Sequence, residues 1–150
     1  MNKIEIGLKR PFPVEQLMFR KGPGGKELVY ITARHVMDRL DKVVKPENWK
    51  TNYREVMGRI VCELSIRIGG EWITKSDGAD DTSIEGAKGA LSDALKRAAV
   101  QWGIFRSYYH AGAMNGRTPA WWCTPEGYDK HIAKIEKMEI EQFKKELGYD

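Results

Sequence analysis

The stretch from Thr82 to Gly103 constrains this chain more than any other segment. Apolar residues recur at Ile84, Ala87, Leu91, Leu95, Ala98 and Trp102, the three-and-four spacing that holds one side of an α-helix against a core. Ser83 stands at a capping position, and Gly103 falls where a left-handed residue closes a helix. On the outer side Lys88, Ser92 and Lys96 form a row at intervals of four, with Arg97 beside it. The expectation is a core helix with a cationic ridge, facing either water or an anionic partner.

The segments before it read as a small antiparallel sheet. Ile60, Cys62, Leu64, Ile66 and Ile68 alternate with Arg59, Val61, Glu63, Ser65 and Arg67, so Gly58 to Ile68 is a half-buried strand. Its second face, with Arg59 and Arg67, either lines a groove or pairs with Glu63. Gly69-Gly70 supplies a hairpin turn into Glu71 to Lys75, and Trp49 to Val56 reads as a third strand. Thr32 is placed to cap a helix carrying Val36, Leu40 and Val43 or Val44, which Pro46 ends. Pro11 and Pro13 keep any helix before Phe19 short, with Val14 to Phe19 the expected span. Arg20 to Lys26 reads as a basic, glycine-rich loop feeding Leu28 to Ile31, and Asp77 to Asp81 as an acidic loop. Ile104 to Trp122 is irregular and rich in aromatics, with Trp121 and Trp122 either in a subunit interface or, by default, beneath a last helix that Thr124-Pro125-Glu126 opens and that runs to about Leu147. The order gives an α+β class: an antiparallel β-β-β-α core, a short meander covered by one long helix, with flanking helices in a single domain spanning residues 1–150.

Composition narrows the function. Hydrophobic residues make up 41% and charged residues 31%, and no apolar run approaches a membrane span or a secretory signal. Cys62 and Cys123 stand far apart, with neither metal-ligand spacing nor a disulfide framework, which suits a reducing cytoplasm. The net charge is +4, consistent with an anionic partner. The Gly22 to Glu27 segment fails as a phosphate-cradling loop, because Glu27 replaces the hydroxyl residue and a strand follows instead of a helix. Asp77, Asp80, Asp81 and Glu85 do not fit a calcium loop, although converging carboxylates keep a metal-dependent nuclease as the alternative; the plainer reading is acidic residues complementing a helix dipole. His35, His110 and His131 are scattered, and no nucleophile arrangement is visible.

Tyr30-Ile31, the helix to Val44, Asn48-Trp49, the strand pair, and Ser83-Ile84-Glu85 through Asp93-Ala94-Leu95-Lys96-Arg97-Ala98 to Gly103 together resemble the annealing domain of the Rad52/22 family. The likeness spans about Arg20 to Phe105, and its most specific piece is the Asp-x-Leu-Lys-Arg-Ala run with an aromatic-Gly pair downstream. It implies a β-β-β-α core assembling into an oligomeric ring or helix around single-stranded DNA, with no cofactor and no enzymatic step. It further implies a compact phage or bacterial member in the host cytoplasm, with a host single-strand-binding protein among its candidate partners. Arg20, Tyr30, Lys96 and Arg97 match DNA-contacting positions of the family. The family usually carries another arginine where Val100 stands here, and the His-Arg pair after the first strand is inverted as Arg34-His35.

Annealing requires phosphate neutralisation, exposed bases and register between strands, and no bond chemistry; a passive single-strand-binding accessory module without annealing activity is a further alternative. Lys and Arg supply the first through counterion release. Arg20, Lys21 and Lys26 on a pliant loop, with Lys88, Lys96 and Arg97 on the helix, are the candidate phosphate contacts; Tyr30 either touches a sugar or supports Arg20. The bland alternative for Arg97 is an exposed ion pair with Asp93, four residues earlier. Trp102 continues the apolar stripe and is expected in the core. Gly86 and Gly89 each cost a helix roughly 1 kcal/mol relative to Ala, which points to close packing against the sheet or a neighbouring subunit.

Overall fold

The computed structural model describes residues 2–79 and 84–148, with side chains described throughout except at positions 84–88. Its elements run α1 (Lys3–Lys9), β1 (Met18–Lys21), β2 (Glu27–Tyr30), α2 (Ala33–Val44), β3 (Trp49–Val56), β4 (Arg59–Ile68), β5 (Glu71–Gly78), α3 (Ile84–Gln101), β6 (Met114–Asn115), β7 (Thr118–Pro119) and α4 (Pro125–Glu146). Strands β3, β4 and β5 form an antiparallel meander in that order, and α3 covers one face. The class is α+β, with the β-β-β-α order expected from the chain.

The alternation in β4 does what its pattern requires. Cys62, Leu64 and Ile66 are fully buried under α3, while Arg59 and Arg67 stand on the outer face. On that face Arg67 donates two bonds to Asn48 Oδ1, at 2.9 and 2.7 Å. Glu63 instead accepts from Asn52 at 3.0 Å and lies 3.5 Å from Arg54 Nε. Burying Ser65 is tolerable because its hydroxyl bonds Thr74 across the strand pair at 2.7 Å.

The seam between α3 and the sheet is built from small residues. Ala90, Ala94, Ala98 and Ala99 are buried with Leu95, whereas Leu91 is 50% exposed. Reading the stripe through the larger side chains therefore placed Leu91 on the wrong side. The alanines let the helix approach the strands closely, and the true buried arc is rotated toward them. Ser83 lies outside the described residues, as do the side chains of Ile84, Ala87 and Lys88. Trp102 is packed against the core and its indole donates to Leu64 O at 3.0 Å, so it is a structural anchor. Gly103 closes the helix at φ +99°, where a Cβ would also meet Lys9 Cγ at 2.6 Å.

Gly89 departs from expectation. A Cβ there would meet Asp93 Oδ2 at 3.8 Å, an ordinary contact, so sheet packing does not require glycine. Gly89→Ala should then raise unfolding stability by about 0.5–1 kcal/mol, read from a denaturant midpoint at constant m-value. A loss of stability would show that something else presses on this position.

The N-terminal third differs most from the sequence-based picture. The helix forms before the prolines, at Lys3–Lys9, with the Asn2 side chain accepting from Ile4 N at 2.8 Å. Val14–Gln16 is only a 3₁₀ turn. Arg20 and Lys21 lie on a strand: β1 pairs antiparallel with β2, Arg20 opposite Leu28 and Lys21 opposite Glu27. What looked like one long loop is a tight Pro23–Gly25 turn between two short strands. Thr32 caps α2 as expected, accepting from His35 N at 3.4 Å while Thr32 N donates to His35 Nδ1 at 3.2 Å. Lys45, at φ +75°, breaks α2 just before Pro46. The supposed acidic loop is partly strand, since β5 continues through Asp77 to Gly78.

Helix α4 starts where predicted, with Thr124 Oγ1 accepting from Gly127 N at 3.1 Å. Gly127 is obligatory, because a Cβ there would collide with the Trp121 carbonyl. The first turns dock onto α1: Tyr128 OH donates to Ile6 O at 3.0 Å, and Arg10 grips Asp129 with two bonds at 2.9 and 2.8 Å. That pair draws the Asp129 carboxyl below its ordinary range. Trp121 and Trp122 are not beneath α4. Their 3₁₀ turn sends Cys123 inward and leaves the two indoles 59% and 46% exposed. Among the described residues, no helix is long and apolar enough to cross a membrane.

Candidate nucleic-acid interface

The β1–β2 hairpin, the start of α2 and the C-terminal half of α3 enclose a groove of about 390 Å³. Ile31, Val36, Ile104 and Phe105 make a buried apolar floor, and Arg20, Asp93, Arg97 and Tyr109 form an exposed rim. Each cation reaches the groove for a local reason. Arg20 alternates with Phe19 along β1, so the half-buried Phe19 and the guanidinium take opposite faces of the hairpin. Lys96 and Arg97 are consecutive on α3, flanking the buried Ala94–Leu95 and Ala98–Ala99 pairs.

Tyr30 joins the two elements. The Arg20 guanidinium lies 5.6 Å from its ring centroid and the Lys96 ammonium 5.7 Å. Both cations lie within contact range of one half-buried ring, a contact worth about 0.5–1 kcal/mol each at an exposed site. Lys96 Nζ is also 3.7 Å from Asp93 Oδ1. The alternative reading paired Arg97 with Asp93; among the described residues Asp77 also reaches Arg97. Strand β5 brings Asp77 across to α3, and Arg97 Nε lies 3.5 Å from Asp77 Oδ1.

Four of the sequence-derived candidates, Arg20, Tyr30, Lys96 and Arg97, therefore line one groove. Lys21 points to the other side of β1 because adjacent strand residues alternate, and Lys26 stands exposed at the turn end of the hairpin. Neither lines the groove. The Lys88 side chain lies outside the described residues. Val100 lines the wall where the family usually has arginine, and Tyr109 was not anticipated: it sits in an irregular segment with no spacing signal.

Asp77, the one described member of the proposed carboxylate set, accepts from Gly78 N at 2.8 Å and faces Arg97. Asp80 and Asp81 and the Glu85 side chain lie outside the described residues. Among the described residues no three His, Cys, Asp or Glu side chains converge as a metal site would need. Burial pushes the Cys62 thiol up to about 11, and raises Cys123 as well, so neither is an activated nucleophile. His35 is occupied in its helix cap.

Two curated relatives, the single-stranded DNA-binding protein DdrA of Deinococcus radiodurans and that of Deinococcus deserti, are each 32% identical over 117 residues, covering 73% of this chain. The chain spans 56% and 58% of their respective lengths, a little over half. The likeness to the family also begins earlier than Arg20: its profile takes in α1, whose docking under Arg39 and Tyr128 ties it to the core. Matching the profile of the Rad52/22 family double-strand break repair protein over residues 1–115, the chain belongs to the Rad52/22 family.

Proposed function

We propose that this chain binds single-stranded DNA and anneals complementary strands without ATP, as part of recombination and repair of broken DNA. The observation that carries the reading is the meeting of Arg20 and Lys96 on Tyr30, with Arg97 in the same groove, in a chain whose relatives are named for single-strand binding. Arg97 offers a phosphate a bidentate fork, Lys96 a compact charge, and Arg20 closes the track from the hairpin. Phosphates are held by these side chains while bases stay available for pairing.

One groove of this size holds only a few nucleotides. Useful affinity then comes from many copies acting along one strand, so we propose self-association into a ring or an open helix, active in the cytoplasm of a bacterial host. A host single-strand-binding protein is a further proposed partner. The exposed Trp121 and Trp122 are consistent with a surface that meets another copy.

The test is the pairing rate of two complementary fluorescent oligonucleotides with no nucleotide added. Acceleration that falls steeply between 50 and 200 mM salt is the expected result; with three phosphate contacts per protomer, the slope of log K on log salt is about −2. Binding without acceleration would leave only a passive single-strand binder. Magnesium-dependent loss of full-length DNA would instead support a nuclease.

A further inference from the structure

Tyr109 stands out among the aromatics of the groove. It is 71% exposed, yet it lies in the groove beside Arg97 and Val100. Its neighbour Tyr108 carries the structural duty: buried, stacked on Phe105 at 4.2 Å, with its hydroxyl accepting from Phe12 N at 3.0 Å. Phe105, held in the left-handed region at φ +67°, starts the 3₁₀ turn that presents Tyr109. The Tyr109 ring touches Phe105 only edge-on, at 6.1 Å and 87°, which leaves its broad faces uncovered by that contact.

The surroundings are not those of a phosphate. Val100 is an apolar lining residue of the groove beside Arg97 and Tyr109, and these three also line a second, smaller cleft with Asp77. A phosphate would lose hydration against Val100, whereas a flat uncharged ring would not. Tyr30, the other groove tyrosine, is half-buried and engaged by Arg20 and Lys96. A tyrosine has only two side-chain angles to fix, so it pays little conformational entropy when it stacks.

We propose that Tyr109 is a stacking platform for one unpaired nucleobase of the bound strand, seated over Val100 next to the phosphate held by Arg97. Resting on the DNA-binding reading above, this adds a contact that duplex DNA, with its bases stacked inside, cannot make. It gives the groove preference for single strands and interrupts the run of phosphate contacts at the position where Val100 stands.

The experiment compares a labelled oligo-dT strand with an abasic deoxyribose-phosphate strand of equal length, by fluorescence anisotropy over a salt series. Tyr109→Leu should bind oligo-dT about tenfold more weakly with an unchanged salt slope, and should match the parent protein on the abasic strand. Tyr109→Phe should keep parent affinity on both. Oligo-dT affinity that survives in a folded Tyr109→Leu protein would overturn the stack, and so would equal weakening on the abasic strand. A parent protein with no salt-dependent affinity for either strand would remove the DNA-binding reading, and the stack with it.

Discussion

Arg39→Met should lower the unfolding free energy by about 3 kcal/mol. Arg39 is 9% exposed and its Nη1 donates to the carbonyls of Gly7, Leu8 and Arg10, where α1 ends. A helix terminus leaves its last carbonyls without intrahelical donors, and here one guanidinium from α2 gathers them. The same group lies 4.1 Å from the Phe12 ring centroid. Burial pulls its pKa down to about 10, with the charge of Arg10 adding to that, so at neutral pH it remains a buried cation held by carbonyl oxygens. Methionine matches the length of the stem but donates nothing, leaving buried carbonyls that each cost roughly 1–3 kcal/mol, offset in part by relief of the buried charge. Arg39→Lys should fall between, because an ammonium cannot reproduce the planar fork. Because Arg10 also holds Asp129, and α1 supplies the carbonyl for Tyr128, the loosening should extend to the first turns of α4, visible as faster amide exchange there. A denaturant series in which Arg39→Met shifts stability by less than 1 kcal/mol would show that α1 is held by its apolar face instead.

The reach of the sequence differs between the core and the edges for identifiable reasons. Strand β4 is long enough for period-two alternation to repeat five times, and Gly69-Gly70 fixes the turn, so the meander was readable residue by residue. Helix α1 spans seven residues, too short for a helical period to stand out, and its stabilising contacts come from Arg39 and Tyr128, far away in the chain. Strands β1 and β2 are four residues each and exposed along most of their length, so nothing in their pattern separates them from a loop. The exposure of Leu91 shows the opposite failure: a correct helix, phased by its largest side chains when alanines form the seam. For the site, chain pattern reached the cationic ridge of α3 and the resemblance reached Arg20 and Tyr30. Neither reached Asp77 as the neighbour of Arg97, because that contact depends on how β5 crosses α3. Tyr109 was illegible for a similar reason, since its place in the groove depends on the left-handed turn at Phe105.

Lys96→Ala combined with Arg97→Ala should weaken single-strand binding by about a hundredfold at low salt, with a loss that shrinks as salt rises. Each charge-assisted contact to a phosphate is worth roughly 1.5–3 kcal/mol, and each releases counterions that carry the salt dependence. Losing two contacts should therefore flatten the slope of log K on log salt by about 1.4. Both residues sit on the outer part of α3, away from the alanine seam, so folding should survive, which a thermal melt checks. Asp77→Asn supplies the opposing arm. It deletes a negative charge 3.5 Å from Arg97 Nε while keeping an oxygen that can accept from Gly78 N, so affinity should rise a few-fold. A track of cations predicts movement in both directions from these two changes. If the double variant keeps the parent salt slope while Asp77→Asn has no effect, the phosphates are held elsewhere, and the groove between the hairpin and α3 has another use.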